Sequence, residues 1–175
     1  MKKFVIHLSG PGCSGKSTVE RALGEKFPGL YSIAYDKLKW QLGGYKGGGK
    51  HDHLINEIEL GLFEVICKKG MLASLDLFLE TESDYHSCEK IAHQYGYTVI
   101  PILLSAPKEV LLARFRERVK NAALTGSRIA VTDEAVFVSN LSWKTFVPKG
   151  AQVFDTSVMS APEIVEKIAG MVETI

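Results

Sequence analysis

The nine residues Gly10-Pro11-Gly12-Cys13-Ser14-Gly15-Lys16-Ser17-Thr18 carry the spacing G-x-x-x-x-G-K-[ST]. Glycines at these intervals let a backbone wrap an anion, so the N–H groups from Gly12 to Lys16 turn inward as a nest for phosphate oxygens. A helix that starts inside the run brings its positive end to the same point. In that arrangement the Lys16 ammonium reaches the β- and γ-phosphates of a nucleoside triphosphate, and the Ser17 hydroxyl ligates Mg²⁺. Gly10, Gly12, Cys13, Ser14, Gly15, Lys16, Ser17 and Thr18 are therefore the expected nucleotide-binding residues. A glycine turn at a strand end would need no phosphate, and the flanks separate the two readings. Phe4 to Leu8 is a short apolar run suited to a buried strand. Val19, Ala22, Leu23 and Phe27 fall on one face of a helix that Pro28-Gly29 stops.

Apolar runs and helical patterns alternate along the rest of the chain. Leu30 to Tyr35 reads as a second strand ending at Asp36, and Met71 to Leu75 as a third ending at Asp76. Tyr97 to Leu104 is a fourth, and Ala151 to Phe154 a last short one ending at Asp155. Between them, Asp52 can cap a helix with Leu54, Ile55, Ile58, Leu62 and Ile66 inward. Ser83 opens one with Cys88, Ile91, Ala92 and Tyr95 inward. Pro107 sits in the first turn of a helix carrying Arg114, Arg116 and Arg118. Ser160-x-x-Glu163 is a capping box for a terminal helix with Ile164, Ile168 and Val172 inward. Residues 121–147 are the least periodic stretch. Strands separated by helices predict a parallel sheet with helices on both faces. Ligands of such sheets bind at the carboxyl ends of the strands, where Asp36, Asp76 and Asp155 join the phosphate loop.

Bulk properties agree with one α/β domain spanning 1–175. The length is enough to bury a sizeable core. A net charge of +1 gives no electrostatic footprint for nucleic acid or an anionic membrane. No run is long enough for a membrane span, and the apolar run after Lys2-Lys3 is too short for a signal peptide. Cys13, Cys67 and Cys88 are odd in number and lack metal-ligand spacing, so they read as reduced thiols of a cytoplasmic protein. Cys13 at a helix N-terminus is either an acidified, reactive thiol or simply a small residue that fits the loop. His7 is expected to be a hydrogen-bonded core residue. Trp40 and Trp143 can stack on a substrate or fill core, and His51 with His53 is weak evidence for metal.

On Gly10 to Thr18, Asp36, Asp76, the Arg114-x-x-x-Arg118 spacing and the Asp155-Thr156-Ser157 strand ending, the chain resembles the small P-loop kinases. These include the adenylate, shikimate and gluconate kinases, chloramphenicol phosphotransferases and zeta-toxin-like kinases. The resemblance covers nearly the whole chain and implies a P-loop NTPase three-layer sandwich with a five-stranded parallel sheet in the order 2-3-1-4-5. It also implies a lid at about 119–145 and a flexible acceptor-side loop at 43–50, with ATP and Mg²⁺ as cofactors. Asp76 then resembles a Walker B aspartate that holds Mg²⁺, against a solvated turn residue. Asp36 would orient or deprotonate an acceptor hydroxyl, against a plain helix N-cap before Lys37 to Leu42.

Phosphoryl transfer needs positioning and charge neutralisation more than covalent chemistry. Lys16, Asp36, Arg118 and Arg128 are thus the expected catalytic residues. The family implies that Arg114 lies by the adenine and Arg118 reaches the phosphates. Arg128 would close over the γ-phosphate as an in-chain arginine finger, or else belong to a solvated surface. Arg116 points elsewhere on its helix. No Asp-Gly-Phe-Pro-Arg stretch follows the third strand, which argues against a nucleoside monophosphate kinase; a Gly-Gly-Gly of shikimate kinases and an Asn-Lys-x-Asp of GTPases are missing too. The expected function is an ATP- and Mg²⁺-dependent kinase of a small-molecule hydroxyl. Three alternatives stay open: a 5′-hydroxyl polynucleotide kinase, which near-neutral charge does not favour, a zeta-like toxin kinase, and a nucleotide-binding regulatory protein without turnover.

Overall fold

Phe4–Ser9 forms β1, and all six residues are buried because helices cover both faces of the sheet. The computed structural model describes residues 2–46, 49–76, 82–142 and 146–175. β1 leads through the glycine loop into α1 (Lys16–Lys26), then β2 (Tyr31–Ala34), the short α2 (Tyr35–Leu38) and a 3₁₀ turn at Lys39–Gln41. α3 (Lys50–Lys68), β3 (Ala73–Asp76), α4 (Glu82–Gln94) and β4 (Thr98–Ser105) follow. α5 (Lys108–Thr125), α6 (Glu134–Leu141), β5 (Gln152–Asp155) and α7 (Ala161–Thr174) complete the order. The sheet is β2-β3-β1-β4-β5, every neighbouring pair parallel. The five-stranded order expected from the sequence is the one observed.

Alternate residues of β1 feed two cores. Phe4, Ile6 and Leu8 pack with Val19 and Leu23 of α1 and Ile164 and Ile168 of α7. Val5 faces the other way, towards Phe63 of α3 and Cys88 and Ala92 of α4. A small third cluster, Leu111, Phe115 and Phe137, joins α5 to α6 beside Cys13. The expected faces of α1 and α7 hold. That of α3 holds in part: Ile55 and Ile66 are buried and Leu62 packs against the core, but Leu54 and Ile58 are exposed, and Glu59, Phe63 and Cys67 complete the buried stripe. A buried glutamate interrupts that stripe, so apolar periodicity alone counted Leu54 and Ile58 in the place of Glu59 and Phe63.

Element ends differ in informative ways. β2 stops at Ala34 because the chain turns helical at Tyr35. β3, β4 and β5 reach Asp76, Ser105 and Asp155 through ladder pairing with their neighbours. Gly49, not Asp52, holds the N-cap of α3; the Asp52 carboxylate instead accepts from the Tyr35 and Tyr45 hydroxyls. The aperiodic stretch contains α6, capped by Asp133, whose carboxylate accepts from the Val136 N–H at 3.0 Å. Only Phe137 of that helix is buried, so no apolar stripe betrayed it. His7 is buried, but neither ring nitrogen has a hydrogen-bond partner among the described residues; it lies edge-on to Tyr85, with centroids 5.4 Å apart. Burial lowers its pKa to about 4. Trp143, Gly47 and Gly48 lie outside the described residues. Among the described residues no helix is long and apolar enough to cross a membrane.

Candidate active site

The loop after β1 holds its shape through backbone conformations that few residues adopt. Gly10 has φ 140°, and a Cβ there would sit 2.3 Å from the Leu104 carbonyl oxygen, so only glycine fits. Cys13 is left-handed at φ 64°, the one such non-glycine among the described residues. Gly15, at φ 94°, caps α1 without any side-chain hydrogen bond, and the first turn of α1 has no acidic residue. The Thr18 N–H donates to the Gly15 carbonyl at 3.0 Å, while those of Lys16 and Ser17 are left for a ligand at a positive helix end that no first-turn carboxylate neutralises. Lys16 Nζ donates to the carbonyls of Gly10 (2.9 Å) and Pro11 (3.3 Å) and lies 3.9 Å from Asp76 Oδ1. Ser14 Oγ is buried with no hydrogen-bond partner among the described residues, an atom available to a phosphate oxygen.

A cleft of about 620 Å³ opens over this loop. Gly12 to Val19 line it together with Asp36, Asp76, Arg114, Arg118 and Thr156, so elements far apart in sequence meet at the carboxyl edge of the sheet. Asp76 is the last residue of β3, its side chain 21% exposed. Burial raises its pKa to about 6; Lys16 opposes the rise, while Asp36 and Glu20 add to it. A half-buried carboxylate whose ionised form is penalised is complemented by a hard cation. Ser17 and Asp76 both line the cleft and could offer two oxygen ligands, a small set of the kind that suits Mg²⁺, an ion that keeps several waters.

Asp36 lies in the first turn of α2, with its side chain 61% exposed. Ala34 holds the N-cap and no side-chain cap bond is made, so Asp36 is not the cap that the sequence offered as an alternative. Its carboxylate accepts from Lys39, whose buried ammonium lies 5.2 Å over the Tyr35 ring and 5.3 Å over that of Trp40. Sequence reasoning missed Lys39 because a lysine three residues from an aspartate reads as surface. Glu20 was missed as well: it is buried beside α1's apolar face and pairs with Lys37 at 2.9 Å and with the Ser32 hydroxyl. Its place one turn beyond Lys16 was the available signal.

The arginines divide three ways. Arg114 ties the loop to the turn after β5, donating to Cys13 O (3.3 Å), Thr156 Oγ1 (2.8 Å) and Thr156 O (2.7 Å). Arg118 lines the cleft and carries no ion pair among the described residues. Arg116 turns away to Glu134 through two bonds of 2.7 Å. Arg128 is not brought into the cleft; its guanidinium lies 5.9 Å over the Trp40 ring. Asp155 ends β5, its carboxylate accepting from the Ser157 N–H and hydroxyl of the following turn, which lowers its pKa. Cys13 packs against the cluster of Leu111, Phe115 and Phe137.

No protein-family model and no curated protein matches the sequence. Solved structures match the fold from end to end. The APS kinase of Mycobacterium tuberculosis, solved with AMPPNP and APS, superposes with a TM-score of 0.72 at 15% identity, over 98% of each chain. A gluconokinase of Sinorhizobium meliloti gives 0.64 at 18% identity, over 98% of this chain and 94% of that one. A sugar kinase of Janibacter gives 0.64 at 14% identity, over 99% and 95%. At these identities the likeness is one of fold, that of the P-loop NTPase α/β sandwich.

Proposed function

We propose that this chain is an ATP- and Mg²⁺-dependent phosphotransferase that moves the γ-phosphate of ATP to a hydroxyl of a small-molecule acceptor. One observation carries the reading: Lys16, Ser17, Asp36, Asp76, Arg114 and Arg118, from α1, α2, β3 and α5, line a single cleft at the mouth of the phosphate loop. The fold shared with structures named APS kinase, gluconokinase and sugar kinase supports a kinase, and APS bound in one of them supports a small acceptor.

In this reading the N–H groups of Gly12, Cys13, Gly15 and Lys16 cradle the phosphates while that of Ser14 stays on the Pro11 carbonyl, and Lys16 exchanges the Gly10 and Pro11 carbonyls for phosphate oxygens. Ser17 and Asp76 would hold Mg²⁺, which would supply Lewis-acid neutralisation of phosphate charge. The acceptor hydroxyl oxygen forms the new bond to the γ-phosphorus, the bond to the β-bridging oxygen breaks, and ADP leaves. Asp36 accepts the hydroxyl proton: Lys39 holds one side of the carboxylate, and its exposure leaves lone pairs for the acceptor. Arg118 neutralises the transferring phosphoryl group. Arg128 joins it only after leaving the Trp40 ring, an event of lid closure.

The test is a metabolite-panel screen for ATP consumption, with mass detection of the phosphorylated product. Lys16→Ala is the control and should lower transfer about 10²-fold or more without loss of fold. Tight ATP binding with no transfer to any hydroxyl acceptor would sink the enzyme reading and favour a regulatory nucleotide-binding protein.

A further inference from the structure

The phosphate loop is backed by an aromatic side chain from a helix that contributes nothing to the cleft lining. Phe137, buried in the middle of α6, stacks on Phe115 of α5 with centroids 4.3 Å and planes 12° apart. Its ring edge reaches the loop. A Cβ added at Gly12 would lie 3.1 Å from Phe137 Cε2 and 3.9 Å from Cδ2. Gly12 is not in the left-handed region, so alanine is crowded there by the ring and not by φ. At Gly10, by contrast, both the backbone conformation and a main-chain carbonyl exclude it. Cys13, the next residue, is left-handed and packs against the same cluster. Gly12 and Cys13 both also line the cleft. Two loop residues thus present phosphate-facing backbone to the ligand while they lean on α5 and α6 behind. Asp133 caps α6, and the Arg116–Glu134 pair ties it to α5.

We propose that Phe137 is a positioning residue of the phosphate site: it buttresses Gly12 and Cys13, fixes the direction of their N–H groups, and links nucleotide affinity to the docking of α6. The proposal rests on the nucleotide-binding reading given above. A non-glycine in the left-handed region persists only where surrounding contacts hold it, and at Cys13 these are the Leu111, Phe115 and Phe137 cluster and the Arg114 bond to its carbonyl. Phosphate nests act through N–H groups aimed in advance, so a loop that loses its backing must be re-ordered by the ligand itself. By linkage, whatever docked α6 contributes to nucleotide affinity, bound nucleotide contributes to the docking of α6.

The experiment is calorimetric titration of Mg·ADP into wild type, Phe137→Leu, Phe137→Ala, Gly12→Ala and the Gly12→Ala/Phe137→Leu double variant, each preceded by a melting curve. Phe137→Ala should fold and weaken Mg·ADP binding roughly tenfold. Gly12→Ala should weaken binding similarly, and adding Phe137→Leu should recover most of that loss, because the shorter side chain leaves room for the methyl. Hydrogen exchange across 134–141 should slow when ADP binds the wild type. Wild-type affinity in a folded Phe137→Ala variant would overturn the proposal. So would a Gly12→Ala defect that Phe137→Leu leaves untouched, since the methyl would then meet the nucleotide and not the ring. If Phe137→Ala does not fold, the Gly12→Ala pair decides alone. A wild type that binds no nucleotide would overturn the reading of the site, and this proposal with it, before any variant is compared.

Discussion

Replacing Asp76 with asparagine removes a charge that the fold carries at a cost. Burial lifts the carboxyl from its ordinary 3.8 to about 6, despite Lys16 Nζ at 3.9 Å. That displacement is worth about 2 to 3 kcal/mol once the partial exposure of the side chain is allowed for. Below pH 4 both folded and unfolded chains carry the proton, so wild type and Asp76→Asn should be equally stable. As pH rises, the unfolded chain ionises first and the folded one only near 6, so wild type alone loses stability across that window. Above pH 7 the asparagine variant should therefore be the more stable, by about 2 to 3 kcal/mol. Mg²⁺ with ATP should reverse the order, because a hard cation is repaid by a carboxylate and hardly by an amide. Urea denaturation at half-unit steps from pH 4 to 8, with and without Mg·ATP, reads both effects. A variant no more stable than wild type at pH 8, or a difference that does not shrink towards pH 4, would refute the account of Asp76 as a strained, cation-awaiting carboxylate.

Asp36→Asn should lower the melting temperature modestly, since the buried Lys39 ammonium keeps an amide oxygen but loses its counter-charge, while lowering transfer by about 10²-fold at unaltered ATP affinity; full transfer in a folded variant would end its claim to the acceptor proton. Gly10→Ala should unfold the loop or the protein, with a loss of several kcal/mol from a Cβ 2.3 Å from a carbonyl oxygen. Gly24→Ala on the open face of α1 should stabilise slightly, and comparing the two melting curves checks the contrast. His7, with its pKa lowered from 6.5 to about 4, should cost the folded state up to about 3 kcal/mol as pH falls through that interval, because the unfolded chain takes the proton first. His7→Leu should flatten that acid limb, and an unchanged limb in the variant's denaturation curves would show that His7 does not carry it.

By itself the sequence determined the phosphate loop and the frame around it. Gly10, Gly15 and Lys16 act through backbone conformation and a spacing of a few residues, and such local constraints are written in residue types. The strand–helix alternation likewise left apolar runs that set the parallel sheet and placed Asp36 and Asp76 on the edge bearing the loop. Only the tertiary structure decided what each charged or aromatic side chain does there. Lys39 and Glu20 look like surface residues in sequence; the structure buries both, Lys39 beside Tyr35 and Trp40 and paired with the cleft-lining Asp36, Glu20 paired with Lys37. The α3 face was legible at Ile55, Leu62 and Ile66 and lost at Leu54 and Ile58, because a buried glutamate breaks the apolar count. Arg114 meets Cys13 across 101 residues of chain, and Phe137 meets Gly12 from a helix with a single buried residue. Contacts of that range leave no period to read, because packing of separate elements selects them and no local propensity does.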